Sequence, residues 1–106
     1  MNFRGGAAPN GEFEMDRMEL VEEIQIVNPL GLHARPAAAL VQTVLKFQCD
    51  VYISLNGHRV NAKSIMGLLT LAAAHGSSVT ITCTGSDAQA ALDAVRNLFD
   101  SGFGEL

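Results

Sequence analysis

Apolar positions change their period several times along this chain, and each change marks an element. Leu20 to Val27 is a strand-like run, stopped by the turn signals of Asn28-Pro29-Leu30-Gly31. Ala37, Leu40, Val41, Val44 and Leu45 then recur at helical spacing and predict a helix over Ala34 to Phe47. Pro36 leaves its start open between Ala34 and Pro36 itself, because proline disfavours the helical region for the residue before it. Val51 to Leu55 reads as a strand that meets Asn56-Gly57, the strongest short hairpin signal, and Arg59 to Ala62 returns as its partner. Ser64 suits the N-cap of an apolar helix from Ile65 to about Ala74, with His75-Gly76 to stop it. Val79 to Cys83 is a fourth strand. Ser86 can cap a last helix through Ala90, Ala91, Leu92, Ala94, Val95, Leu98 and Phe99, which Gly102 ends. Helices that alternate irregularly with hairpin-linked strands imply an α+β fold, an antiparallel sheet with helices packed on one face.

Residues 1–19, with Gly5-Gly6-Ala7-Ala8-Pro9-Asn10-Gly11, offer no core face and read as a disordered leader: native, a cloning remnant, or the product of a start codon upstream of Met15 or Met18. The remaining 20–106 reads as one domain; at 106 residues the chain is long enough for a modest core and too short for a second. Cys49 and Cys83 have neither CxxC nor metal spacing, which points to the ordinary thiols of a reduced, cytoplasmic protein. No uninterrupted apolar run is long enough to cross a membrane, and no apolar stretch follows Arg4 as a secretory signal requires.

The net charge of −4 is unevenly spread, with six of eleven acidic residues within the first 23 positions. From Ala34 to Cys83, Arg35, Lys46, Arg59 and Lys63 stand against Asp50 alone, a local balance of +3. That suits a body that docks on acidic partners, and is too thin for nucleic-acid binding.

The candidate chemistry lies in Gly31-Leu32-His33-Ala34-Arg35-Pro36-Ala37, where a loop runs into a helix N-terminus. Four orphan N–H groups and the positive end of the macrodipole make such a place a site for a phosphate-sized anion. A neutral imidazole nitrogen has its own lone pair and attacks phosphorus without a general base. An unperturbed imidazole, with a pKa of about 6.5, is largely neutral near pH 7. Once the ring carries a phosphoryl group, the same amides and the planar guanidinium of Arg35 can stabilise the anion. Pro36 lacks only an N–H that the first turn leaves unpaired. On chemistry alone the plainer alternative, a polar histidine closing a loop, stays open. His58, after the hairpin turn, and His75 read as exposed structural positions, and no residues stand at metal-ligand spacing.

Gly31-Leu32-His33-Ala34-Arg35-Pro36-Ala37 resembles the phosphorylation-site motif of HPr, the histidine-containing phosphocarrier of the bacterial phosphotransferase system. A second block, Val60-Asn61-Ala62-Lys63-Ser64-Ile65-Met66-Gly67-Leu68-Leu69, is similar to that family's regulatory serine region and follows at the family's interval. The match runs from about Val21 to Phe103. The resemblance implies an open-faced β-sandwich in the order βαββαβα, four antiparallel strands covered on one face by three helices. It implies a carrier rather than a turnover enzyme, needing no cofactor or metal of its own. His33 would accept a phosphoryl group at Nδ1 from phosphorylated enzyme I, and pass it to a histidine of an enzyme IIA-type acceptor. Ala34 and Arg35 would hold the phosphate. Ala34, Ala38 and Gln42 on the first helix, with Ile65, Met66 and Leu69 on the second, would form the docking surface.

Ser64 is explained structurally as an N-cap; by resemblance it is also the serine that an HPr kinase phosphorylates in some bacteria. Two alternatives accompany the sugar-branch reading. One is the nitrogen-related branch of the same system, which the ending Leu98-Phe99-Asp100-Ser101-Gly102-Phe103-Gly104-Glu105 resembles. The other is a regulatory module that docks on a transcriptional regulator or an enzyme when Ser64 is phosphorylated.

Overall fold

The computed structural model describes residues 18–106; most of the expected leader lies outside the described residues. The order is β1 (Glu19–Gln25), α1 (Ala34–Val44), β2 (Asp50–Leu55), β3 (His58–Asn61), α2 (Ile65–Thr70), β4 (Ser78–Thr84) and α3 (Ala88–Asp100), closed by a short 3₁₀ turn at Gly102–Gly104. The strands form one sheet in the order β1-β4-β2-β3, with every pair antiparallel. This is the expected α+β open-faced sandwich. Strand alternation sends Ile24, Val51, Ile53, Val60, Val79, Ile81 and Cys83 to one face, where Leu40, Val44, Leu68, Leu92, Val95 and Phe99 of the helices cover them.

The helix boundaries depart from the sequence reading for identifiable reasons. Helix α1 starts at Ala34, which settles the open register and makes His33 its N-cap. It ends at Val44 rather than Phe47, because Lys46 and Phe47 donate to the carbonyls of Thr43 and Val44 in a tightened last turn. Helix α2 stops at Thr70, short of Ala74. Ala72 enters the left-handed region at φ 51, and the Ala73 carbonyl leaves the helix to accept Leu32 N–H at 2.9 Å. Tertiary contact with the histidine loop takes precedence over local propensity there.

Ser86 does not cap α3. Asp87 occupies the N-cap, and its carboxylate reaches away from the helix to accept the Gln48 N–H at 2.8 Å and the Cys49 N–H at 2.9 Å. These bonds, the Gln48 N–H first, hold the Asp87 carboxyl below its ordinary range. Since the folded value lies below the unfolded one of about 4, Asp87 stabilises the fold above that pH, and the contribution fades as pH falls through the folded value. Asp87→Asn is expected to lower stability by about 1–3 kcal/mol near neutral pH and to flatten the acid side of a denaturant-midpoint profile. A variant profile parallel to the wild type's would remove this assignment.

Cys49 and Cys83 are buried free thiols, pushed up to about 12 and about 11 by burial first, with the Asp87 carboxylate adding to it. They are core side chains with little thiolate character.

Candidate functional site

The loop ahead of α1 is built to present one side chain. Leu32 on one side of His33 and Pro36 and Ala37 on the other are buried, so the chain is anchored immediately before and after the imidazole. Gly31 makes the approach possible. Its φ is +69, and a Cβ there would lie 2.4 Å from the Ala73 carbonyl oxygen. His33 takes the extended conformation of an N-cap (φ −83, ψ −169), and its carbonyl accepts the Ala37 N–H at 3.0 Å. Its side chain caps nothing in the helix. The N–H groups of Ala34 and Arg35 belong to the first turn and have no intrahelical acceptor, while Pro36 has none to satisfy. No acidic residue in that first turn opposes an incoming anion.

The tail of the chain completes the site. After α3, Gly102, Phe103 and Gly104 all take positive φ (64, 56 and 74), a left-handed turn that reverses the backbone. Phe103 meets Phe99 edge-on with ring centroids 4.8 Å apart. The reversal brings the Glu105 carboxylate against the imidazole, with Nε2 3.1 Å from Oε1 and 3.0 Å from Oε2. Asn28 holds the same carboxylate, its Nδ2 donating to Glu105 Oε1 at 2.9 Å and to the Gly31 carbonyl at 2.8 Å. The Asn28 side chain is fully buried, and its Oδ1 has no hydrogen-bond partner among the described residues. The Asn28 amide first, then His33 and the positive charge of Arg35, keep the Glu105 carboxyl below the usual carboxylate range. Arg35 is exposed and lines an open cleft with Pro29, Leu30, Phe103, Gly104 and Glu105.

The structure therefore brings His33, Ala34 and Arg35 together at one helix end. Glu105 and Asn28 were not among the residues singled out by pattern. Asn28 read only as a turn residue, and 72 positions separate Glu105 from His33. The one usable signal was the Gly102-Phe103-Gly104 run, whose glycines mark a chain reversal after the helix.

The second motif lies beside the first. His33 also borders a shallow hollow lined by Leu30, Leu32, Leu69 and the Ala72–Ala74 turn. Ile65, Met66 and Leu69 are 40%, 72% and 36% exposed, while Leu68 and Leu71 are buried. Ala34 and Gln42 are exposed on α1 and Ala38 is half-buried. Ser64 is the N-cap of α2, its Oγ accepting the Gly67 N–H at 3.0 Å. Lys63 does not turn toward Ser64. Its Nζ donates to the Phe47 carbonyl at 3.1 Å and closes the end of α1. His58 and His75 are exposed, and no group of three metal-capable side chains occurs among the described residues.

An imidazole presented at a helix N-terminus, with amides and a guanidinium alongside, belongs to a protein that handles an anion on its own side chain. Comparison with known proteins specifies which. A family model for the phosphorylation site of the phosphotransferase-system HPr component matches residues 20–101. Phosphocarrier protein HPr of Cupriavidus necator is 48% identical over 86 residues, 81% of this chain and 97% of that protein. HPr of Xylella fastidiosa (strain Temecula1 / ATCC 700964) is 45% identical over the same shares. The crystal structure of HPr-C-His from Thermoanaerobacter tengcongensis superposes with a TM-score of 0.79 at 41% identity, covering 82% of this chain and 98% of that one. The chain belongs to the HPr family, the phosphocarriers of the phosphotransferase system. No helix among the described residues is long and apolar enough to cross a membrane.

Proposed function

We propose that the chain accepts one phosphoryl group on His33 from phosphorylated enzyme I and passes it to a histidine of an IIA-type acceptor. The observation that carries this reading is the placement of His33 as the N-cap of α1. One ring nitrogen is engaged by Glu105, and the first-turn amides of Ala34 and Arg35 lie beside it without intrahelical acceptors. The chemistry asks little of the protein beyond position and charge. A loose phosphoryl transition state spreads negative charge over its equatorial oxygens, and amides with a guanidinium offset that charge. The chain is then both product and substrate of its neighbours rather than a turnover enzyme, and it needs no cofactor.

The partners would meet the face that surrounds His33. Ile65, Met66 and Leu69 offer apolar area, methionine adapts to more than one surface, and Ala34, Ala38 and Gln42 extend the patch along α1. Ser64 lies at the edge of this patch, so a phosphate added by an HPr kinase would put negative charge where an acidic partner docks. It would also replace the Oγ bond to Gly67 with a charged acceptor at the same helix end.

The reading is tested by intact mass after incubation with phosphoenolpyruvate, magnesium and enzyme I. One acid-labile phosphoryl group is expected on the wild type. No adduct, with an enzyme I that phosphorylates another HPr, would overturn the carrier reading and favour the regulatory module. Arg35→Lys is expected to slow transfer by roughly tenfold or more with an unchanged melting curve, since lysine keeps the charge and loses the planar donor fork. Wild-type transfer rates in that variant would remove Arg35 as the phosphate clamp.

A further inference from the structure

We propose that His58, at the start of β3, is a positioning residue for partner docking: through Thr70 it fastens the last turn of α2, the turn that carries Leu69. The proposal rests on the carrier reading, and it adds to the docking face two residues that lie outside both sequence motifs.

Helix α2 is too short to hold itself. Its six residues make fewer than two turns, whereas isolated helices are marginal in water below about 12–15 residues. Its hold on the sheet is narrow. Leu68 is buried, and Gly67 lies so near β3 that a Cβ there would be 3.4 Å from Val60 Cβ. Ile65, Met66 and Leu69 are exposed, so the residues offered to a partner add little to the anchorage of their own helix. Ser64 fixes the first turn, its Oγ accepting the Gly67 N–H. The last turn carries no basic residue to offset its carbonyls, and its fastening comes from another element.

The hydrogen bonds at this end run in one direction. The chain tightens as it leaves the helix, and the N–H groups of Leu71 and Ala72 donate three residues back, to Leu68 and Leu69, at 3.2 Å. The Gly67 carbonyl, which a regular α-helical turn would have given to the Leu71 N–H, is taken instead by Thr70 Oγ1, donating at 2.6 Å. That bond commits the one hydroxyl proton of Thr70. Its Oγ1 therefore meets His58 with lone pairs alone, and the ring Nε2, 3.2 Å away, donates. The strand explains why His58 is in reach. His58 and Val60 stand two residues apart on β3, so their side chains leave from the same face, the one that α2 covers. One strand thus holds α2 twice, by packing at Val60 and Gly67 and by the hydrogen bond from His58 to Thr70. Leu69 lies between those two points of attachment, and its placement depends on both.

The test compares His58→Ala with His58→Gln in the full chain. Glutamine keeps a neutral side-chain N–H donor, and alanine keeps none. Amide hydrogen exchange reports on α2 directly and needs no phosphoryl transfer. In His58→Ala the Leu71 and Ala72 amides should exchange roughly threefold to tenfold faster than in wild type, while the amides of β4 keep their rates. In His58→Gln they should return toward the wild-type rates. Alanine exchanging like wild type, glutamine exchanging as fast as alanine, or an equal acceleration in β4 would each overturn the proposal. Steady-state transfer from phosphorylated enzyme I then separates docking from chemistry. His58→Ala should raise the KM for this chain roughly threefold or more and leave kcat within about twofold, since His33 and its helix end are untouched. An unchanged KM would overturn the docking role. If no phosphoryl group is taken up even by the wild type, it is the carrier reading that fails, and the exchange rates still decide whether His58 fastens α2.

Discussion

His33→Ala is expected to take up no phosphoryl group under conditions that load the wild type to one per chain, and to keep its fold while doing so. The first half follows from the chemistry. Among the described residues the other two histidines are His58, whose Nε2 contacts Thr70 Oγ1 at 3.2 Å, and His75, which contacts the Asn28 carbonyl. Neither ring stands at a helix N-terminus with first-turn amides open, so neither inherits the reaction. The second half follows from what the side chain does for the structure. His33 contributes to α1 through its backbone carbonyl, which alanine retains, and its side chain makes no capping bond. Its imidazole is 35% exposed, so little apolar area is lost, and stability should change by about 1 kcal/mol or less. Intact mass and a melting curve on the same sample check both halves. A phosphoryl group on the variant would move the acceptor elsewhere, and an unfolded variant would remove the claim that His33 is dispensable for the fold.

Much of this fold was legible because local and tertiary demands agree. The alternation in Val79-Thr80-Ile81-Thr82-Cys83, the Asn56-Gly57 turn and the helical spacing from Ala37 all describe faces that the packed molecule buries. Errors fell where a residue serves a distant partner. Ala72 to Ala74 read as helix, but the Ala73 carbonyl is needed by Leu32. Ser86 read as a cap, but Asp87 takes that place and ties the α1–β2 loop to α3. The candidate site divides in the same way. His33, Arg35 and Ser64 are marked by immediate neighbours, proline and glycine on one side and helical periodicity on the other. Glu105 and Asn28 meet across the whole length of the domain, and nothing in the spacing of one predicts the other. A tail glutamate after a helix-ending glycine is indistinguishable by pattern from a solvated terminus. Only the left-handed turn at Gly102–Gly104 makes it part of the site.

Gly31→Ala is expected to be the most damaging single-carbon change near His33, lowering both stability and phosphoryl acceptance. Two independent penalties act at this position. The backbone is left-handed at φ +69, where a Cβ is strained whatever the surrounding space. The space is also filled, with the new carbon 2.4 Å from the Ala73 carbonyl oxygen and 2.9 Å from Ala74 Cα. These are backbone atoms and cannot rotate away as a side chain does. Ala73 is moreover the acceptor for Leu32 N–H, and the Gly31 carbonyl accepts both the His33 N–H at 3.0 Å and the Asn28 amide at 2.8 Å. Relieving the clash therefore displaces the loop that fixes His33 relative to α1 and Glu105. Together the strain and the overpacking amount to about 2–4 kcal/mol, a drop of roughly 10–25 °C in Tm for a domain of this size. Since productive transfer needs the reacting nitrogen placed to about an ångström, the folded fraction should also transfer roughly a hundredfold more slowly. The corresponding change at Gly57 is a fair control, because nothing lies within 4 Å of a Cβ there although φ is +84. Gly57→Ala should show backbone strain alone and leave transfer intact. If the two variants melted and transferred alike, the close packing of Gly31 on Ala73 could not be what holds the histidine in place.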